Sequence, residues 1–171
     1  MASTLRNSLP SKIKIFVWRA RLGRLPVKVE LDKRGVNLDS VRCNICNNDI
    51  ETMEHMILSC PKVKELWGRV MSWWNSGINM YANRDSMFLG KGSRSDPNAY
   101  SKIWQCIEWV CGYSIWRNRN LSLFEKKDWS VPMTLNEIQV KSFQWINNRS
   151  KNPSLDWNVW LSNPNSYEDH G

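Results

Sequence analysis

Three cysteines and a histidine stand close together in this chain. Cys43 and Cys46 have two residues between them, His55 follows after eight more, and Cys60 after another four. Zinc takes four soft or borderline donors at tetrahedral corners, and a Cys-x-x-Cys turn supplies two thiolates from one tight loop. The largely apolar stretch Met53–Leu58 suits a helical turn that would carry His55 and Cys60. Buried cysteines with a histidine nearby by chance would be the bland alternative. A lone Cys-x-x-Cys would not displace it, but three cysteines and a histidine at these intervals are a more specific set. The reading is one structural zinc ion held by Cys43, Cys46, His55 and Cys60.

Other chemistry fails on residue type or spacing. Glu51 and Glu54 precede the histidine, but a closed four-ligand site leaves no metal position for a water they could activate. A deaminase-type zinc would need a glutamate two residues after its ligand histidine and a Pro-Cys-x-x-Cys downstream. Here Glu54 precedes His55, and the Cys-x-x-Cys lies upstream without a proline. Gly90-Lys91-Gly92-Ser93 lacks the spacing of a phosphate-binding loop and any preceding strand, so it reads as a loop. His170, beside Glu168 and Asp169, reads as a solvated tail. No catalytic constellation remains, and the chain is not expected to be an enzyme.

The other candidate surface is electrostatic. From Arg6 to Arg34 there are nine Lys or Arg against Glu30 and Asp32 alone, and the whole chain carries +8. A basic face is often only solvated, but it also favours acidic partners. Lys12, Lys14, Arg19, Arg21, Arg24 and Lys28 are the expected contacts to phosphates of RNA or DNA. The 11 tryptophans could stack on bases; at helical spacing they are more often core.

Helices must position these groups. Pro10 suits a first helical turn and Gly23 a helix end, with Ile13, Phe16, Val17 and Ala20 forming a buried stripe between them. A short helix is expected from Pro26 to Gly35. Pro61 begins another, with Val63, Leu66, Trp67, Val70 and Trp74 inward, ending near Asn75. A long helix from about Asn98 or Ala99 to Phe124 is apolar on nearly every side and belongs in a core, its basic end at Arg117 and Arg119 suiting the helix dipole. Pro132 is expected to break the chain, with Thr134-Leu135-Asn136-Glu137 then capping the next helix. Trp157 and Trp160 lie three apart on a final turn. No alternating strand pattern occurs. The expected fold is all-α: a zinc-binding helical lobe over 1–76 behind a loose leader at 1–8, a flexible connection over 77–98, and a C-terminal helical region over 99–171 packing on the first.

Length and composition fit this picture. The 171 residues suffice for a sizeable core, and the tryptophan load argues against disorder. Three of the five cysteines belong to the metal motif. Cys106 and Cys111, five apart on a helix, face different ways and should not pair, so a reducing intracellular compartment, nucleus or cytoplasm, is expected. No signal-like leader is visible, and no run reaches the ~20 apolar residues of a membrane span.

One resemblance covers Leu9 to Trp67. Leu9-Pro10-Ser11-Lys12-Ile13-Lys14-Ile15-Phe16-Val17-Trp18-Arg19, Leu25-Pro26, Lys33-Arg34-Gly35, Cys43, Cys46, Glu51-Thr52, His55, Cys60 and Trp67 resemble the zinc-binding region of plant non-LTR retrotransposon reverse transcriptases. Ile115-Trp116-Arg117-Asn118-Arg119-Asn120, Phe124 and Ser142-Phe143-Gln144-Trp145-Ile146 are similar to the tails of such reading frames. In that family the region lies downstream of the polymerase, whose Tyr-x-Asp-Asp motif is absent from this sequence. The resemblance implies a non-catalytic module that holds RNA or DNA near a polymerase supplied elsewhere. An alternative from another class is a protein-interaction or scaffold module, or an inactive retroelement remnant.

Overall fold

The computed structural model describes residues 9–75, 102–149 and 155–170. The expected leader at 1–8, the connection at 77–98 with its Gly-rich run, and the start of the long helix at 98 or 99 lie outside them. The described residues form helices α1 (Ser11–Arg21), α2 (Lys28–Lys33), α3 (Pro61–Trp74), α4 (Lys102–Glu125), α5 (Val131–Arg149) and α6 (Trp157–Ser162). A π-turn spans His55–Ser59, and a 3₁₀ turn spans Pro164–His170. The chain is all-α, as its sequence pattern implies. Among the described residues the β contribution is one isolated bridge, Arg42 to Ile50.

The expected apolar stripes are the buried ones. Ile13, Phe16, Val17 and Ala20 of α1 are buried, as are Val63, Leu66, Trp67, Val70 and Trp74 of α3. Full burial of each large side chain is worth about 1.5–3 kcal/mol, enough to decide how each helix rolls onto the core. Gly23 and Gly35, both at positive φ, turn the chain out of α1 and α2 where other side chains would be strained.

Helix α4 is the axis of the assembly, touching α1, the π-turn and α5, while α5 also packs on α3. It buries Trp104, Ile107, Val110, Cys111 and Ile115 together, as an all-round apolar helix should. Both halves of the chain share one continuous core. At its far end Trp73 meets Trp160 edge-on at 5.5 Å, and Phe143 meets Trp157 at 5.0 Å. The indole N–H of Trp73 donates to the Trp160 carbonyl, and that of Trp160 to the Gln139 carbonyl.

Two local expectations are corrected. Helix α5 begins at Val131, so Pro132 opens it instead of breaking the chain; in a first turn the missing proline N–H is one that would have had no helical partner. Thr134 is then inside the helix, its hydroxyl donating to the Ser130 carbonyl and accepting from the Trp129 indole. Glu137 does not cap; it pairs with Lys141 and Arg117. The second correction concerns Arg119: instead of complementing the dipole from the basic end of α4, it lies in the core at 2% exposure.

Candidate functional site

The metal-type cluster is built from two pieces of backbone. The first is a miniature hairpin. Glu51 N–H donates to the Val41 carbonyl and Cys43 N–H to the Asp49 carbonyl, both at 2.8 Å. Inside it the chain reverses through Asn47 at φ 57°, a left-handed position that asparagine tolerates. This folds Cys43 and Cys46 toward each other.

The second piece is the π-turn. In an α-helix residues five apart lie about 140° apart around the axis, so His55 and Cys60 would diverge. Here the Cys60 N–H reaches back five residues to the His55 carbonyl at 2.9 Å, which brings the two side chains to the same side. Thr52 steadies the entry, its hydroxyl accepting from the His55 N–H, and the Trp67 indole donates to the Ile57 carbonyl. Cys60 then serves as the residue preceding α3, with Pro61 in that helix's first turn.

The donor atoms of Cys43, Cys46, His55 and Cys60 all lie within 4.8 Å of one another. Zinc–ligand lengths imply donor separations of about 3.5–3.8 Å in a closed tetrahedron, so side-chain adjustments of about 1 Å would close the four on an ion. The histidine is aimed for this. Its Nε2 lies 3.3 Å from Cys46 Sγ, while Nδ1 faces the Asp49 carboxylate at 3.8 Å. Metal-binding histidines commonly have their other nitrogen turned to such a group.

The thiols are electrostatically prepared. A hydrogen bond from Cys60 lowers the Cys43 thiol to about 5, with help from the N–H groups of Cys46 and Ile45. Cys60, as the partner that keeps the proton, is pushed upward, while the N–H groups of Val63 and Lys62 at the start of α3 pull the other way. A divalent ion held here would take the place of that shared proton, with the backbone N–H groups left facing both thiolates.

Residues 2–67 match a family model described as zinc-binding in reverse transcriptase. This region belongs to that family. The reverse transcriptase zinc-binding family thus accounts for the Cys3His donor set, and zinc is the cofactor that the set fits. The family is named for the zinc-binding part of the enzyme and not for its polymerase. No curated protein and no solved structure matches the chain. Among the described residues all five cysteines are free thiols, and no helix is long and apolar enough to cross a membrane.

The six basic residues proposed from the sequence are not equivalent. Lys14, Arg19 and Arg24 are exposed, and their side chains make no hydrogen bond or ion pair among the described residues. Lys12 is also exposed but lies over the Tyr113 ring at 5.6 Å, and half-buried Arg21 lies over the Trp109 ring at 5.3 Å, both on α4. Lys28 is placed differently, 8% exposed, its ammonium bonded to the Arg42 carbonyl and the Asn44 side chain. It braces the metal-type hairpin from behind instead of facing solvent.

Sequence reasoning set Glu51 aside as a base with nothing to activate. The structure gives it another role. Its fully buried carboxylate accepts from the Lys28 backbone N–H at 2.9 Å and forms a two-pronged pair with Arg119. That pair joins the hairpin to α4 across 68 positions of sequence. A carboxylate beside a metal motif gives no local sign of so distant a partner. The π-turn, by contrast, was signalled by the four-residue gap between His55 and Cys60, which an α-helix cannot place on one face.

Proposed function

We propose that this protein is a non-catalytic, zinc-stapled helical module that contacts RNA or DNA beside a reverse transcriptase polymerase, in a retroelement of the plant non-LTR type. Cys43, Cys46, His55 and Cys60 hold one structural zinc. The observation that carries the reading is the gathering of four soft donors in the span that matches the family. Four protein ligands complete a tetrahedral shell and leave no site for a reacting water. The ion's work is then to fix the angle between the hairpin and α3, and so the placement of the basic face beside them.

Lys14, Arg19 and Arg24 carry the phosphate contacts, supported by their exposure and their freedom from ion pairs. Lys12 and Arg21 contribute charge from the edge of the same surface. A second reading, a protein-interaction module, is supported by the exposed apolar line Ile15, Trp18 and Leu22 on α1.

Two measurements test the proposal. Elemental analysis of protein purified without chelator should find one zinc per chain; no metal would remove the staple. Mobility shifts of labelled RNA and DNA at two salt concentrations should weaken steeply with salt. Changing Lys14, Arg19 and Arg24 together to Gln should flatten the slope of log affinity against log salt by about 2–3. An unchanged slope would favour the protein-interaction reading.

A further inference from the structure

Of the eleven tryptophans, ten are buried or half-buried and Trp18 is exposed. It is 57% exposed on α1, where an indole gains nothing from the core. It lines an open groove of about 420 Å³ together with Arg19, Arg24, Pro26 and Arg34. Three of the five lining residues are arginines and none is acidic. Their guanidinium groups make no hydrogen bond or ion pair among the described residues, so the donors that match phosphate oxygens are uncommitted. Glu30 feels the charge of Arg34, but its carboxylate binds Lys33 at 2.9 Å. Arg34 belongs to the turn after α2 and was not among the contacts expected from the sequence.

An exposed indole within a ring of arginines has a specific chemical complement. A base stacks on an aromatic face while its phosphate takes the guanidinium groups, and the stack requires a base whose face is not already covered by its neighbours in a duplex. The groove volume lies within the range of small-molecule sites. We infer that this groove binds one unpaired nucleotide of a single strand, RNA or DNA, with its base on Trp18 and its phosphate on Arg19, Arg24 and Arg34. The inference rests on the nucleic-acid reading above and narrows it to unpaired strand. Ile15 and Leu22 continue the Trp18 line along α1 and would mark a protein partner if the arginines were absent.

The test uses the full zinc-loaded chain, with fluorescein-labelled oligouridine, oligothymidine and a blunt duplex followed by anisotropy. Trp18→Ala should weaken both single strands by about 5- to 150-fold, the range of one lost base stack, and leave the duplex nearly unchanged. Trp18→Phe should recover most of the loss. Arg34→Gln should lower the single-strand salt slope by about 0.7. Circular dichroism and thermal melting of all variants should match wild type, because Trp18 and Arg34 are exposed. Equal losses for duplex and single strands, or unchanged single-strand affinity in Trp18→Ala, would overturn the groove assignment while leaving nucleic-acid binding intact. No salt-dependent binding by the wild-type chain would remove both readings together.

Discussion

The hairpin at one end of this molecule and the aromatic cluster at the other solve the same problem by opposite means. Within residues 41–50 only Cys43 and Ile45 are buried. So little apolar area does little to offset the entropy of ordering ten residues, and a metal held by Cys43, Cys46, His55 and Cys60 would close the deficit. At the far end Trp73, Phe143, Trp157, Trp160 and Tyr167 meet ring against ring, with indole N–H groups bonded to carbonyls. That end is stabilised by buried area and by aromatic geometry worth about 0.5–1.5 kcal/mol per pair. On this argument the first region should depend on an ion and the second should not.

The sharpest way to break this comparison is to remove a ligand. Cys60→Ser should abolish zinc binding and forfeit a term of about 10 kcal/mol or more that metal supplies to small zinc modules. Hydrogen exchange should rise most over residues 41–60, less over α5 and α6; equal increases would mean the two ends unfold as one. The reciprocal change is Trp160→Ala, which should cost about 3–5 kcal/mol of unfolding free energy, read from denaturant titration. It should leave the zinc content at one ion per chain, and loss of metal in that variant would dissolve the distinction. The smallest effect is expected of a double variant at the seam. Arg119→Ala strands the Glu51 carboxylate and should cost about 3–5 kcal/mol, whereas Glu51→Leu with Arg119→Met should be within about 1–2 kcal/mol of wild type. If the double variant is as unstable as the single one, the pair is a requirement of the fold and not merely of charge balance.

How far the sequence reveals all this depends on the range of the interaction. The apolar stripes of α1 and α3 are periodic, and each inward residue read from the pattern is buried. The four donors are likewise legible because their spacing is a local property of two turns. Thr134 misled because a threonine followed by a glutamate three residues on resembles a cap, while Ser130 and Pro132 offered a start one turn earlier. Lys28 misled because charge counts do not report exposure; its stem is covered and its ammonium serves the hairpin. Arg119 misled because it looks like a charge at a helix end, while its partner Glu51 lies in another part of the chain. Among the many tryptophans, pattern alone assigned the core correctly for most and gave no means of singling out Trp18.

The separation between Glu51 and Arg119 also sets an order in time. All four donor residues are made before the arginine that neutralises Glu51 is added. At ~5–20 residues per second, Arg119 follows Cys60 by roughly 3–12 s. Through that interval the nascent chain already holds every group needed to capture a metal ion, while the carboxylate beside them still lacks its cation. The order of synthesis thus places the four donors in the chain ahead of the one side chain that pairs with Glu51.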